Sequence, residues 1–464
     1  MSVVAFPQVL PGLESLSSRR LEQLVGMIPW QRFDPIIAAL QQQRLQRRQA
    51  ARHLRRQRQQ QAHAPLLPPQ PQAPSAATTP VEARTGRRPW SEVAILRAFV
   101  LVRCLGVIDA VSACHLHLNE NPALRVACGL PGVPSYRSLC RFDADMTRLG
   151  LWESFRLICI DINRQAGLIR ANSVAIVDTV HVEAEATLGK TTTGPDGQLV
   201  PTDDNVGLLH KSPTRSFIAH KISMLRLRGV LAPLTATVEP GNRNDGKTLL
   251  PPVRKFKAEQ PDLLPALRYL EADGPFNTAE NRQGLAEELP GVILLSPVNP
   301  RNAKPKPLDR PGMDHISPSG IPVCSAGHHL RLLGRDRQRQ QYIWHCPLFG
   351  GRQDPPPGVS CAPEQHQACC AGSPRGRTVH TPRELSPLIN WELPQPSARH
   401  VRLYRERLQI EGSFGILVEM FGFRQVHKRG RLNVQAHVDR CLGCMHLWWL
   451  VHSSLKQQGL RLAA

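Results

Sequence analysis

The chain has no uninterrupted apolar stretch of about 18 residues, and its start, Met-Ser-Val-Val-Ala-Phe-Pro, lacks the basic segment that opens a signal peptide. These absences argue against a membrane-spanning helix and a secreted protein, so we expect a cytoplasmic protein without a membrane partner. Acidic residues are also scarce, with 37 Asp and Glu against 58 Lys and Arg, which gives a net charge of +21. This surplus suits a polyanionic partner, and nucleic acid is the first candidate.

The composition is uneven along the 464 residues, and the changes predict domain boundaries. Residues 1–40 predict a short helical segment with a break at Pro29. Residues 41–85 are rich in Gln, Arg and Pro and predict a linker, because the Pro-rich part cannot form a core. Seven arginines lie between Arg44 and Arg58 with no acid among them. They form either a helix or arm that contacts phosphates or a solvated basic segment.

Two aspartates each follow a short apolar run. Asp178 follows Val-Ala-Ile-Val, which predicts a strand buried on both faces, and Asp273 closes Tyr-Leu-Glu-Ala-Asp before Gly-Pro. A helix is expected to start after it, at Asn277 or Thr278. We predict both aspartates at strand ends, where the ligands of open α/β sheets collect. A turn or capping role is the alternative for each.

A third carboxylate lies on a predicted helix near the C-terminus. Tyr404, Arg407 and Glu411 fall within about 60° of one another at the helical rotation of about 100° per residue. Glu406, the rival carboxylate, would lie about 140° away from Glu411. An Arg–Glu pair on a solvated helix face is the alternative. With the two aspartates, Glu411 completes a set of three carboxylates, the type of ligand that Mg²⁺ prefers.

The order of these carboxylates, with Tyr404 and Arg407 ahead of the glutamate, resembles the DDE transposases of bacterial insertion sequences. The catalytic domain of that family has an RNase H-like fold, and its last motif reads Tyr, two residues, Arg, three residues, Glu, six residues, Lys. The chain matches the first three positions and has Val418 at the fourth. Three basic residues further along are candidates to replace that lysine: Arg424, Lys428 and Arg429.

The resemblance implies roles for the residues of this motif set. Asp178, Asp273 and Glu411 would hold two Mg²⁺ or Mn²⁺ ions for in-line phosphoryl transfer. Water would hydrolyse the strand at the element's end, and the freed 3′-hydroxyl would then attack target DNA. Arg407 would orient Glu411 or neutralise a phosphate, and Tyr404 would contact the DNA backbone. A homodimer on double-stranded DNA, bound at terminal inverted repeats in the nucleoid, is implied as well.

Residues 86–165 resemble the helical DNA-binding domain that precedes the catalytic domain in the family. The segment from Pro134 reads like the start of a helix-turn-helix, with Arg137 and Arg141 facing outward. A plain helical cap domain is the alternative. Other basic residues are candidates for phosphate contacts, with solvated or edge-strand positions as the alternative: Lys221, Arg424, Lys428, Arg429 and Arg431.

The predicted fold is therefore α/β. An RNase H-like mixed sheet flanked by helices follows the all-helical N-terminal domain, with its first part at 171–298 and its C-terminal helices at 397–464. Between these parts, residues 299–396 form an insertion rich in Pro, Gly, Arg and His.

The insertion holds five of the twelve cysteines. In a basic cytosolic protein, clustered Cys and His favour metal over disulfide. Cys324, Cys346 and Cys361, with Cys369 or Cys370, are candidates for a zinc site. The insertion has no Cys-x2-Cys pair, so free thiols in a loosely folded insert are the alternative.

We therefore expect a DDE transposase that cleaves and joins DNA strands. Two alternatives remain open. A metal-dependent nuclease of the same fold would share the three carboxylates, and a catalytically decayed DNA-binding protein would keep the basic surfaces without turnover.

Overall fold

The computed structural model describes residues 18–62, 90–106, 110–184, 191–193, 199–201, 203, 206–212, 214–299, 304–348, 360–371, 373, 375–424 and 426–459. They form a mixed α/β structure with several separate sheets. The chain divides into two compact units. The first comprises Met1–Ile162, Met420–Gly422 and Asp439–Ala464, and the second comprises Asn163–Glu419 and Phe423–Val438.

The first unit is helical in its described part. Its helices up to the start of the sheet are α1 Ser18–Met27, α2 Asp34–Ala62, α3 Glu92–Cys104, α4 Val111–Glu120, α5 Pro122–Cys128, α6 Tyr136–Arg148 and α7 Leu151–Gln165. Their core contains the fully buried aromatic side chains of Phe142, Trp152 and Phe155. Trp152 lies edge-on to Phe155, with ring centroids 5.8 Å apart. The expected break at Pro29 is present, since a 3-10 turn follows it before α2 begins.

Helix α2 crosses the predicted boundary at residue 40, so residues 41–62 are helical where we predicted a linker. The physical reason is composition: Gln, Arg, Ala and Leu are good helix formers, and no Pro or Gly interrupts them after the first turn. Arg44 also has partners, since its Nε lies 2.9 Å from Asp145 Oδ2 and its Nη1 contacts Glu92. The Pro-rich part of the predicted linker lies outside the described residues.

The second unit is built around a six-stranded sheet. The strands from the start of this unit to residue 295 are β1 Val174–Glu183, β2 Thr191–Thr193, β3 Leu199–Pro201, β4 Gly207–Ser212, β5 Arg215–Leu227, β6 Thr235–Pro240, β7 Tyr269–Glu271 and β8 Ile293–Leu295. The order in the main sheet is β4-β5-β1-β7-β8, and β6 also pairs with β5. β1, β7 and β8 are parallel, whereas β5 is antiparallel to β1 and to β6. Helices α8 Leu250–Glu259 and α9 Ala279–Glu288 connect the later strands.

The apolar run ahead of Asp178 is buried, as its composition predicts. Val174, Ala175, Ile176 and Val177 are all fully buried in β1. Val174 and Ile176 share one face of the strand and pack against Ile410. This face of the sheet is therefore covered by the helix that carries Ile410.

The insertion is packed rather than loose in its described part. It contains one sheet of β9 Lys306–Pro307, β10 Met313–Ile316 and β11 Pro322–Cys324, a second of β12 Arg331–Asp336, β13 Gln341–His345 and β14 Thr378–Pro382, and helix α10 Pro363–Cys370. Tyr342 and Trp344 are fully buried in its core. Their polar atoms are bonded, because Tyr342 Oη donates to Ile389 O at 3.0 Å and Trp344 Nε1 donates to Thr381 Oγ1 at 2.8 Å.

Three helices follow the insertion: α11 Ala398–Tyr404, α12 Leu408–Met420 and α13 Arg431–Gln457. Residues 431–438 of α13 belong to the second unit and the rest of the helix belongs to the first. In the described part of the chain, no helix combines the length and apolar character needed to cross a membrane.

Candidate active site

Asp178 lies on β1, and Asp273 lies just beyond the end of the neighbouring strand β7. In the parallel pair of β1 and β7, Ile176 is opposite Glu271. Each aspartate is two residues beyond that pair, so both side chains point to the same face of the sheet at the same level. Asp178 is not at the end of its strand, as we predicted, because pairing with β5 carries β1 on to Glu183. It lies instead just past the end of the parallel pairing with β7.

Asp273 lies two residues beyond the end of β7 and opens the following turn. Its Oδ1 accepts a hydrogen bond from the backbone N–H of Gly274 at 2.8 Å, at the start of a 3-10 turn. Helix α9 then begins with Thr278 as its N-cap, one of the two predicted positions, and the Thr278 side chain accepts from the N–H of Asn281. The turn fixes the Asp273 carboxylate beside Asp178.

The residues expected on one helix face are divided between α11 and α12. A 3-10 turn, Arg405–Arg407, separates the two helices, so the predicted continuous helix is wrong in this detail. The side chains nevertheless meet. Arg407 donates from Nη1 to Asp178 Oδ2 at 2.6 Å and from Nη2 to Glu411 Oε1 at 3.1 Å. Tyr404 Oη donates to Asp273 Oδ1 at 3.5 Å.

Electrostatics at this cluster favour a bound cation. Burial raises the pKa of Asp178 to about 6, against the opposing effects of the Thr179 N–H and Arg407, and the nearby Asp273 and Glu411 carboxylates raise it further. Burial also raises the pKa of Tyr404, so its hydroxyl remains a donor at neutral pH. Three carboxylates share one guanidinium, which leaves excess negative charge for an incoming cation to neutralise.

The donor set fits a hard divalent cation, because carboxylate oxygens are the ligands that Mg²⁺ and Mn²⁺ accept. Among the described residues, no group of three or more His, Cys, Asp or Glu is arranged as a metal site. The Arg407 guanidinium explains this at the carboxylates, since it binds both Asp178 and Glu411. Metal binding there would require Arg407 to give up at least one of these contacts.

A fourth carboxylate, Glu271, was not predicted. It is fully buried on β7, and neither of its side-chain oxygens has a hydrogen-bond partner. Burial and the neighbouring Glu406 raise its pKa to about 8, although Arg228 and Arg407 act in the opposite direction. The sequence did contain a signal for it. Glu271 precedes Asp273 by two residues, and side chains two residues apart in an extended segment point to the same face.

Glu271 should make stability depend on pH. The carboxyl keeps its proton in the folded state up to a pKa of about 8 but loses it near 4.5 when unfolded. The folded state binds more protons in that window, so its contribution to stability is present below pH 4.5 and is lost as pH rises to 8. We expect Glu271→Gln to remove this decline, worth about 1–3 kcal/mol. Urea unfolding between pH 5 and 8.5 measures the free energy of unfolding. Glu384→Gln, at an exposed position, is the control. Parallel pH curves for wild type and Glu271→Gln would contradict the prediction.

Lys221 is not an exposed edge residue. Its strand, β5, has β1 on one side and β4 and β6 on the other, so it is interior to the sheet. The side chain is buried, with its Nζ 2.6 Å from Asp245 Oδ1 and 2.6 Å from Arg243 O. Asp245 also accepts from Thr179 Oγ1 at 3.3 Å. Lys221 therefore orders the loop that leaves β6, and we withdraw it as a phosphate contact.

The remaining basic candidates are on surfaces. Arg137 and Arg141 are exposed on α6, whose N-cap Ser135 accepts from the N–H of Ser138. In the second unit, Arg424, Arg429 and Arg431 are exposed and Lys428 is half-buried, around the start of α13. Their DNA contacts stay predictions.

The five cysteines of the insertion lie together. Four of them, Cys324, Cys346, Cys369 and Cys370, belong to one buried cluster with Tyr342 and Trp344, and Cys361 is partly exposed. All are free thiols. The alternative had two parts. A loosely folded insert is wrong for the described part of the insertion, whereas free thiols are present there.

Comparison with known proteins gives no family. No protein-family model matches the chain, and no curated protein matches it. Among solved structures, it is similar to the piggyBac transposase synaptic complex with hairpin DNA, with a TM-score of 0.34 and 9% identity over 80% of this chain and 68% of that one. For the Mos1 mariner paired end complex with Mn, the TM-score is 0.18 and the identity 10%, over 40% of this chain and 58% of that one. Similarities of this size carry no argument about function, which has to rest on the site.

Proposed function

We propose that the chain is a DDE-type transposase of an insertion sequence, which cleaves DNA at the element's ends and joins it to a target. The observation that supports the proposal is a group of side-chain contacts near the end of the parallel pairing of β1 and β7. Arg407 binds both Asp178 and Glu411, and Tyr404 binds Asp273. Residues spread over more than two hundred positions of sequence thus form one acidic site. The strand order β6-β5-β1-β7-β8, with β1, β7 and β8 parallel, supports an RNase H-like core.

Each residue of the set has a task in phosphoryl transfer. Asp178, Asp273 and Glu411 would hold two Mg²⁺ or Mn²⁺ ions, and the chemistry these would supply is activation of the attacking oxygen and stabilisation of the leaving one. Arg407 holds the carboxylates of Asp178 and Glu411 close together. When the guanidinium releases one of them, its charge is available to a DNA phosphate. The Tyr404 hydroxyl fixes the rotamer of Asp273. No Ser or Cys nucleophile is needed, because this chemistry depends on positioning and charge.

The proposed partner is double-stranded DNA, bound by a homodimer at terminal inverted repeats in the bacterial cytoplasm. The net charge of +21 supports a polyanionic partner. Arg424, Lys428 and Arg429 are proposed to contact phosphates in place of the lysine that Val418 replaces, and Arg431 is proposed as a further phosphate contact. Arg137 and Arg141 are proposed to contact DNA from α6.

The basic residues near α13 give a testable salt dependence. We expect Arg424→Gln with Arg431→Gln to weaken binding of every DNA sequence alike, because phosphate contacts are blind to sequence. The slope of log K against log salt should fall by about 0.9 for each lost contact. Fluorescence anisotropy from about 50 to 200 mM salt measures this. Lys304→Gln, an exposed lysine of the insertion, is the control, and an equal change in that variant would remove the assignment.

A cleavage and joining assay tests the function itself. The purified chain is incubated with labelled DNA that carries the inverted repeats flanking its own gene, with Mg²⁺ or Mn²⁺, and the products are separated on denaturing gels. Metal-dependent joined products support the transposase. Cleavage without joining supports the nuclease, and binding without cleavage supports the decayed DNA-binding protein.

A further inference from the structure

Four separate segments of the insertion bring their cysteines to one place. Cys324 ends β11, Cys346 directly follows β13, and Cys361 precedes α10. Cys369 and Cys370 are the last two residues of α10. The first sheet, the second sheet and the helix of the insertion thus each contribute at least one thiol, which is the pattern of a cross-link between elements.

The cysteines of the insertion form one cluster. Cys324, Cys346, Cys369 and Cys370 share one buried core. Cys369 Sγ lies 3.7 Å from Cys370 Sγ. Cys369 also lies close to Cys324, and Cys370 lies close to Cys346. Cys361 is within electrostatic range of both Cys324 and Cys346.

The surroundings distinguish the two adjacent cysteines. Cys369 Sγ donates to the carbonyl oxygen of Gly312 at 3.5 Å, a bond that requires the protonated thiol. The Sγ of Cys370 instead points to the sulfur of Cys369, at 3.7 Å. Because a metal-bound thiolate cannot donate to the Gly312 carbonyl, Cys370 is the better metal ligand of the pair.

The backbone around Cys324 also suits a ligand. Its N–H donates to His328 O at 3.0 Å, and its carbonyl accepts from the N–H of Gly327 at 2.8 Å, which closes a tight turn. Gly327 adopts φ +80°, a conformation that favours glycine. The Ser325 N–H donates to Gly312 O, the same carbonyl that Cys369 contacts. The turn is therefore fixed beside the cysteine cluster.

We propose that the insertion binds one zinc ion through Cys324, Cys346, Cys361 and Cys370, with Cys369 remaining a neutral thiol. Four thiolates are a common closed, structural set for zinc. On binding, each ligating thiol loses its proton to solvent and its sulfur forms a bond to the metal, so affinity rises with pH. Binding requires these four sulfurs to turn towards a common centre, because no group of three or more Cys, His, Asp or Glu among the described residues is already arranged as a metal site. The ion would join the two small sheets and α10.

The full-length chain, expressed with added zinc and dialysed without chelator, should contain about one zinc per molecule. X-ray absorption at the zinc edge should show a shell of sulfur neighbours at about 2.3 Å. Cys324→Ser, Cys346→Ser, Cys361→Ser and Cys370→Ser should each lower the zinc content, whereas Cys369→Ser should retain it. Cys140→Ser, a cysteine of the first unit, is the matched control.

The wild-type measurements decide the matter even if a serine variant fails to fold. Zinc well below one equivalent, a nitrogen or oxygen shell in place of sulfur, or a disulfide between Cys369 and Cys370 in the purified chain would overturn the proposal. Loss of zinc in Cys369→Ser with retention in Cys370→Ser would overturn the choice between the two. None of these results depends on whether the chain cleaves DNA.

Discussion

Asp178→Asn should reduce the rate of DNA strand cleavage by about 10³-fold or more. The substitution keeps the shape of the side chain and removes the charge that holds a divalent cation. Glu411→Gln should have a similar effect, because Arg407 joins both carboxylates to one site. The measurement is the single-turnover cleavage rate on labelled DNA ends with Mn²⁺. DNA affinity should change little in either variant, which separates loss of chemistry from loss of folding.

Glu406→Gln provides a matched control for this prediction. Glu406 is near Glu411 in sequence, but its carboxylate contacts Gln409 Nε2 and lies within range of Glu271 rather than bonding to Arg407. We expect the cleavage rate of Glu406→Gln to stay within a few-fold of wild type. The substitution affects a half-buried polar contact and leaves the charges of Asp178, Asp273 and Glu411 in place. If Glu406→Gln were inactive and Glu411→Gln active, the third carboxylate would be reassigned.

The three carboxylates that the sequence singled out lie together in the structure, and local patterns pointed to each of them. The buried run before Asp178 and the Asp-Gly-Pro turn after β7 are local signals. The offset of four residues from Arg407 to Glu411 survives the 3-10 turn, so their contact was also predictable. The meeting of these pieces was predicted only through the resemblance, which gave their order along the chain.

Features that depend on distant pairing were missed. The position of Asp178 within β1 follows from pairing with β5, more than thirty residues later, and no local pattern contains it. Lys221 appeared suited to an edge because its neighbours in sequence do not show that β5 is paired on both sides. Glu271 looked like an ordinary polar residue of a short strand, since its burial depends on the helices that cover the sheet.

The boundary error at residue 40 has a different cause. Composition separates the Arg-rich segment from what precedes it, yet helix propensity does not change there. Arg44 and Arg47 both bind Asp145, with Nη1 of Arg47 3.1 Å from Asp145 Oδ1. Part of the arginine run therefore packs within the first unit, and only the arginines beyond these two stay candidates for phosphate contacts.

Arg156→Met should destabilise the first unit by about 3–5 kcal/mol. Arg156 is fully buried, and its Nε lies 2.7 Å from Oδ1 of the buried Asp439. Removing the guanidinium takes a charged partner away from a buried carboxylate, which costs more than the pair contributes. Asp439→Leu should have a similar cost, and the double variant should lose less than the sum of the two, because both charges are gone.

Urea unfolding followed by tryptophan fluorescence measures this cycle, since Trp152 lies in the same core. The control is Arg32→Met, which removes an ion pair to Asp161 whose side chains are 43% and 45% exposed. Solvent screens that pair, so its loss should cost no more than about 1 kcal/mol. If Arg156→Met and Arg32→Met lowered the free energy of unfolding equally, burial would not determine the cost of removing an ion pair. A strictly additive double variant would mean that Arg156 and Asp439 stabilise the helical unit independently, through packing rather than through their charge pair.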